Sequence, residues 1–376
     1  MKWITEEFND FIKLNRGFDL PNDKIKEGPY PVVASTDIKA HHYTFKVKAP
    51  GVVTGRSGSL GTVQYVKKDF WPLNTSLYVK DFKGNDSSFV YYYLKTMHLE
   101  LYNSGVGVPT LNQNHLHRIK VVVPESTADQ KGIATILSHY DDLIEINKRR
   151  IALLEKSARE LYKEWFVRMR FPGWKNIDEK DLPANWKVLR IDDIYETGSG
   201  GTPKTGNKIY YNGNINWLRT GELDDSFIFE TEIKISEDGL ENSSAKMYHR
   251  HDVVIAMYGA TIGKLGILTG NTSVNQACCV LTPKNSFYDY AFIYLSLIEY
   301  RHELIHQRMG AAQQNISQET IRKFKLKFPP LEIMAAFNQK AHPIFDAIEV
   351  ILRENQILSL QRDRLLPRLM SGQLEV

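Results

Sequence analysis

Cysteine is nearly absent: Cys278 and Cys279 are the whole supply in 376 residues. Adjacent cysteines rarely bridge each other or build a metal cage, so both read as buried or half-buried thiols, and a disulfide-stapled scaffold is excluded. Long apolar runs are missing as well. No stretch of about 18 apolar residues could span a bilayer, and the opening MKWITEEFND lacks the basic-then-apolar pattern of a secretory signal. The expected setting is the cytoplasm, with no membrane partner. Nor does one sign of charge dominate: the net charge is +4 with a pI near 8.7. Such a balance permits a nucleic-acid partner without demanding one.

Catalytic signatures are lacking too. The nearest run to a phosphate loop, Gly259-Ala260-Thr261-Ile262-Gly263-Lys264, is one residue short between its glycines and is followed by Leu265. No G-x-G-x-x-G follows a strand and opens a helix, and no [DNS]-P-P-[YFW] tetrapeptide of the amino-methyltransferase kind occurs. His41-His42 and the pair His249 and His251 have no metal-ligand company and read as loop histidines. Asp141-Asp142 and Asp224-Asp225 read as solvated carboxylates, because nothing else converges on them.

What is present is a seven-residue apolar repeat from Asp129 to Arg170. Ile133, Tyr140, Asn147, Leu154 and Leu161 share one heptad position, and Leu137, Ile144, Ile151, Ala158 and Trp165 share the other. This is a coiled-coil seam on a helix of roughly 60 Å at ~1.5 Å per residue. The C-terminal stretch repeats the pattern, with Phe337, Ile344, Ile351, Leu358 and Leu365 alternating with Ala341, Ile348, Asn355, Arg362 and Leu369. Asn147 and Asn355 occupy different seam positions, so only an antiparallel register brings them together. That register also sets Ile151 against Ile351, Leu154 against Ile348, Ala158 against Ile344, Ile144 against Leu358 and Leu137 against Leu365, with Trp165 facing Phe337, Ile133 facing Leu369 and Arg362 beside Tyr140. A buried Asn without a partner costs roughly 1 to 3 kcal/mol, which selects this register. Solvated asparagines at a frayed seam, or Asn147 meeting its own copy in a homodimer, are the alternatives. Pro343 and Pro367 favour kinks in the second helix.

The two remaining regions alternate short β-rich runs with turns. In the first, Pro31 to Ala34, Gly51 to Gly55, Thr62 to Val66, Ser76 to Val79 and Ile119 to Pro124 predict strands, and Ser88 to Leu101 predicts a helix capped by Ser87 or Ser88. The second region repeats this grammar: Trp186-Lys187 echoes Lys2-Trp3, the run from Tyr258 echoes that from Arg56, and Gly310 to Pro329 echoes Gly105 to Pro124. The expected class is α+β: two β-rich mixed domains joined by two long helices in an antiparallel coiled coil, with a pseudo-two-fold internal repeat. The expected boundaries are residues 1–127, 128–170, 171–328 and 329–376.

Binding chemistry sits on the turns. In the first region Tyr43 lies in a basic-aromatic run, Arg56 and Ser57 on a glycine turn, Lys67 and Lys68 after a strand, and Asn112 and Gln113 before the closing strand. In the second, Lys204 follows Gly200-Gly201-Thr202-Pro203, Arg219 and Thr220 follow a strand, and Lys264, Gln313 and Gln314 lie on turns. Arg suits guanine edges, Asn or Gln suits adenine edges, and Lys holds phosphates. Each residue alone is an ordinary surface group; their recurrence at matching places in both regions makes them candidate DNA contacts.

Along its whole length the chain resembles the specificity (S) subunit of type I restriction-modification systems. The resemblance rests on the Trp186 to Leu223 block with Gly200-Gly201-Thr202-Pro203 and Ile215-Asn216-Trp217-Leu218, the Pro124 to Phe166 block through Asp129-Gln130-Lys131-Gly132-Ile133-Ala134, and the ending from Arg362 to Gly372. The first region departs from the pattern, because it lacks a G-G-T-P turn. The resemblance implies two target-recognition domains, each reading one half of a bipartite site in double-stranded DNA, with the spacer set by helix length. It also implies two modification (methyltransferase) subunits that flip and methylate adenine, and restriction subunits that translocate and cleave. S-adenosylmethionine, ATP and Mg then belong to those partners, and this chain has no catalytic or metal-binding residues of its own. Two other functions stand beside it: a non-catalytic coiled-coil scaffold with incidental basic loops, and a self-contained DNA-modifying enzyme.

Overall fold

The computed structural model describes residues 1–105, 107–174, 182–183, 185–306 and 315–376. The chain divides into two compact units, Met1–Ile146 with Glu354–Val376, and Asn147–Arg353. The first long helix runs over Thr127–Tyr162 and ends in a π-helical turn, Lys163–Val167. The second runs over Leu331–Met370, with Pro343 and Pro367 inside it.

In the first unit an antiparallel sheet has the order Lys13–Arg16, Ser76–Asp81, Gly51–Gly55, Val63–Val66. A second sheet orders Ile38–His42, Tyr30–Val33 and Trp71–Pro72, and a ribbon pairs Trp3–Glu7 with Lys120–Pro124. The helix expected from Ser88 to Leu101 spans Ser87–Thr96, and a short 3-10 turn follows left-handed His98 at φ 49°. Its cap is Asp86, not a serine: the carboxylate accepts the Phe89 N–H at 2.8 Å. Phe89, Val90, Tyr92 and Leu94 from this helix share a core with Ile133 and Leu137 of the first long helix and Leu366 and Leu369 of the second. These four residues of the long helices are thereby buried within this unit.

Polar groups at this junction are paired as burial requires. Gln130 is 1% exposed; its Oε1 accepts the Asp86 N–H at 3.0 Å, and its Nε2 donates to the Pro124 carbonyl at 3.0 Å and to Asn85 Oδ1 at 2.6 Å. One side chain thus joins the start of the long helix, the end of the ribbon and the cap of the shorter helix. Asp141, read from sequence as solvated, accepts the Tyr92 hydroxyl at 2.6 Å and pairs with Arg362. Arg362 therefore meets a carboxylate one position from the Tyr140 ring expected beside it. His42 is also no loop histidine: it is 3% exposed, takes the Lys26 N–H at 3.1 Å and stands edge-on to Trp71.

The second unit is built on a five-stranded sheet ordered Tyr195–Ser199, Cys278–Pro283, Val253–Ala256, Leu265–Leu268, Ser226–Ile228, antiparallel except for its last pair. A four-stranded sheet orders Lys234–Ile235, Tyr211–Leu218, Thr272–Val274 and Met247–Tyr248, and a ribbon pairs Lys187–Arg190 with Lys325–Phe328. Cys278 and Cys279 are buried free thiols, each pushed up to about 12 by burial. The helix Tyr290–Glu299 is buried along most of its length, so its apolar side chains cover all faces. It packs into a core with Ile151, Ala158 and Trp165 of the first long helix and Phe337, Ala341 and Ile348 of the second. Trp165 and Phe337, paired in the seam read from sequence, have ring centroids 5.9 Å apart. Tyr162 donates to Ser296 at 2.9 Å inside this core, and Arg250 holds Glu349 with two bonds of 2.9 and 2.7 Å.

Asp289 caps the helix Tyr290–Glu299 through the Ala291 N–H at 3.0 Å and also pairs with His342. His251, expected in a loop, stacks on Tyr290 at 4.1 Å, and Tyr290 lies parallel to His342. The hydrogen bond to Asp289 raises the His342 pKa above its ordinary value against the opposing effect of burial.

Two outcomes are expected. Gln130→Leu orphans the Asp86 N–H and the Pro124 carbonyl and lowers unfolding free energy by about 1 to 3 kcal/mol; urea denaturation with an unchanged midpoint refutes this. Because folding raises the His342 pKa, its contribution is full below the ordinary value near 6.5 and is lost as pH rises through the raised one. His342→Gln should therefore destabilise the protein more at the acid end of a melting-temperature series between about pH 6 and 8 than at the alkaline end.

Candidate nucleic-acid interface

In the second unit the Gly200-Gly201-Thr202-Pro203 turn is clamped from several sides. A Cβ on Gly200 would sit 1.6 Å from the Val274 carbonyl oxygen, so no larger residue fits. The Gly201 N–H donates to that carbonyl at 3.1 Å, the Trp217 indole donates to the Gly201 carbonyl at 3.0 Å, and the Tyr211 hydroxyl donates to the Pro203 carbonyl at 2.7 Å. Thr202 meets the side chain of exposed Gln276. Lys204 leaves this rigid turn exposed.

The neighbouring loops are tied to it. Asn275 N–H donates to the Leu218 carbonyl at 2.9 Å, and Met257 N–H donates to the Ala277 carbonyl at 2.9 Å. Thr261 on the hairpin tip donates its hydroxyl to the Thr220 carbonyl at 2.8 Å. The turns carrying Lys204, Thr220, Tyr258 and Gln276 thus form one hydrogen-bonded surface, with Tyr258 40% exposed upon it.

Two expected contacts in this unit are already engaged. Arg219 uses its Nε on Glu222 at 3.4 Å and its fork on Glu232. Lys264 donates to Asp225 at 2.8 Å, and Asp225 also takes Arg301. Asp225 is therefore a paired, largely buried carboxylate and not the solvated one expected. Burial alone raises its pKa, but bonds from Lys264, Arg301 and the Leu265 N–H outweigh burial and hold it below the ordinary carboxylate value. Gln313 and Gln314 lie outside the described residues.

In the first unit Arg56, Ser57, Asn112 and Gln113 come together. Ser57 bridges Thr110, Leu111 N–H donates to the Arg56 carbonyl at 2.8 Å, and Gly58 N–H donates to the Pro109 carbonyl at 3.0 Å. The Arg56 guanidinium reaches the Asn74 carbonyl at 3.2 Å, and Asn112 caps the short helix Gln113–Leu116 through the Asn114 N–H. Lys67 turns to Asp142 on the long helix at 2.9 Å, while Lys68 is exposed. Tyr43, 54% exposed, lies apart from this cluster, just past the strand Ile38–His42 and edge-on to His42 at 4.6 Å.

Sequence reasoning singled out Asp225 but took it as solvated, and missed Glu222, Glu232 and Gln276. Of these three only Gln276 carried any signal, as a polar residue just before a buried apolar strand. Among the described residues no group of three His, Cys, Asp or Glu is placed to hold a metal ion, and no helix is long and apolar enough to cross a membrane.

The family described as "Type I restriction modification DNA specificity domain" matches residues 1–156 and 183–362. The type I restriction enzyme MjaIX specificity subunit of Methanocaldococcus jannaschii is 26% identical over 100% of this chain and 94% of its own length. The HindI specificity subunit of Haemophilus influenzae is 22% identical over 71% of each. Among solved structures, the S subunit of a type I restriction-modification system from M. genitalium aligns over 98% of this chain and 96% of its own, with a TM-score of 0.66 at 17% identity, a likeness of fold.

The contrast between the two lysines gives a stability test. Lys264→Met leaves Asp225 with one cation fewer and should lower the melting temperature measurably, whereas Lys204→Ala should stay within about 0.5 kcal/mol of the parent. Thermal unfolding that ranks them the other way refutes the assignment.

Proposed function

The chain belongs to the type I restriction-modification DNA specificity family, and on that footing we propose how it reads DNA. It is a non-catalytic DNA-recognition subunit. Each unit carries one target-recognition domain, bounded near residues 1–127 and 171–328, and each domain reads one half of a bipartite site. The observation that carries this reading is the hydrogen-bonded loop surface of the second unit, where exposed Lys204 and Gln276 and half-buried Thr220 stand on turns tied by Trp217, Tyr211, Thr202 and Thr261. Arg56, Ser57, Asn112 and Gln113 supply the corresponding surface in the first unit, with Tyr43 and Lys68 as flanking contacts. Rigid loops matter because base readout tolerates little positional error. Gln313 and Gln314 are kept as candidates from sequence, while Lys67, Arg219 and Lys264 reach DNA only by giving up the carboxylates they now hold.

The two long helices form an antiparallel coiled coil in this reading. Trp165 beside Phe337 in the second unit, and the shared burial of Ile133 and Leu137 with Leu365 and Leu369 in the first, support the register. A duplicated origin is supported by the recurrence of a ribbon, Trp3–Glu7 with Lys120–Pro124 and Lys187–Arg190 with Lys325–Phe328, and of an Asp-capped helix behind it, with Asp86 and Asp289 as caps. The partners are two modification subunits that methylate adenine with S-adenosylmethionine, and restriction subunits that use ATP and magnesium, all in the cytoplasm.

Inserting one heptad into a long helix adds roughly 10 Å at ~1.5 Å per residue, about three base pairs. The methylome of cells expressing this variant with its modification partner should show a longer spacer between unchanged half-sites. Altered half-site bases with the spacer unchanged would sink the proposal.

A further inference from the structure

Asp225 joins segments that are far apart in sequence and that the candidate interface uses. It follows the Arg219–Glu222 turn with a left-handed backbone, φ 67°, and its carboxylate is 16% exposed. One oxygen takes the Leu265 N–H at 2.9 Å and Arg301 at 2.5 Å; the other takes Lys264 at 2.8 Å and Arg301 at 3.2 Å. Its backbone closes the arrangement, because its N–H donates to the Leu265 carbonyl at 2.9 Å and its carbonyl accepts the Tyr294 hydroxyl at 2.5 Å. The turn carrying Thr220, the hairpin tip ending at Lys264 and the helices bearing Tyr294 and Arg301 are thereby locked to one residue.

Resting on the functional reading above, we propose that Asp225 is a positioning residue for recognition of the second half-site. It sets the Thr220 turn and the Tyr258–Lys264 hairpin tip in one fixed register against DNA. Lys264 belongs to this lock and not to the set of phosphate contacts, since its ammonium is bound to Asp225 and only part of its side chain, 43%, is exposed. Gly263 fits the same scheme. Its φ of 78° and a Cβ position 3.2 Å from Arg301 Cγ show the tip pressed onto the arginine that Asp225 holds. The neighbouring Thr261 bond to the Thr220 carbonyl then carries the position of one loop to the other. Asp225 needs no contact with DNA, because removing its charge frees two cations and unlinks both loops.

The test is methylome mapping in cells that express the full chain with its modification subunits, together with salt-dependent binding of the same complex to a duplex carrying the mapped site. Asp225→Asn should retain the first half-site and lose about tenfold or more of its discrimination at the second, the scale at which one base pair is read. Lys264→Met, which keeps the Asp225–Arg301 pair, should weaken the same discrimination less and leave the slope of log affinity against log salt unchanged. If Asp225→Asn does not fold, Lys264→Met carries the test. A lower melting temperature with the second half-site unchanged in these variants overturns the inference, and so does a salt slope that falls by about one in Lys264→Met, the mark of a lost phosphate contact. Wild-type protein that marks no bipartite site overturns the functional reading and this inference with it. Wild-type protein that marks one, while Asp225→Asn marks the same bases equally well, overturns this inference alone.

Discussion

Burial of the apolar stripes on the two long helices is the constraint on which each unit depends. Neither stripe can face water along its length, and each unit supplies part of the cover. In the first unit Phe89, Tyr92 and Leu94 meet Ile133, Leu137 and Leu369 in one core; in the second, Phe292 and Leu295 meet Ala158, Trp165, Phe337 and Ile348 in another. The β-rich bodies are therefore completed by helical segments drawn from widely separated stretches of sequence. Charged and polar ties then fix the angle of that packing: Gln130 and the Asp141–Arg362 pair in the first unit, Arg250–Glu349 and Tyr162–Ser296 in the second. Each joins two packed elements, where a hydrogen bond adds direction to a force that has none.

The candidate interface follows a related rule. Its surface is made of turns, and turns hold their shape only if their backbone groups are satisfied. In the second unit the donors are large side chains, buried Trp217 and half-buried Tyr211, whose rings pack in or against the small core beneath and whose polar tips reach the Gly200 to Pro203 turn. Core packing is thereby converted into loop geometry. Carboxylates make a second selection. By holding Arg219 and Lys264, the residues Glu222, Glu232 and Asp225 separate cations tied to the protein from cations such as Lys204 and Lys68 that face solvent.

Much of the fold was legible because it rests on period and punctuation. Heptad spacing marked both long helices to within a few residues, and alternating apolar runs marked the strands at Tyr30–Val33, Gly51–Gly55, Val63–Val66, Ser76–Asp81 and Lys120–Pro124. The misses were local competitions. Asp86 displaced Ser87 and Ser88 as a cap because its carboxylate is the stronger acceptor and its own N–H is held by Gln130, a residue more than forty positions away. Pro343 and Pro367, by contrast, lie inside their helix as the heptad pattern placed them, where packing of Phe337, Ala341 and Leu369 offsets the backbone bond lost at each.

The sequence by itself determined the helical periodicity, the strand-rich character of the two remaining regions, the tight Gly200-Gly201 turn and the family to which such motifs point. These are consequences of residue type and short spacing, so they need no knowledge of neighbours. Only the tertiary structure decided which charges are available. Asp141 and Asp225 read alike in sequence as adjacent-acid pairs in water, and both became anchors because Arg362, and Lys264 with Arg301, arrive from distant segments. Electrostatic energy depends on distance and on burial, and neither is a property of one stretch of chain.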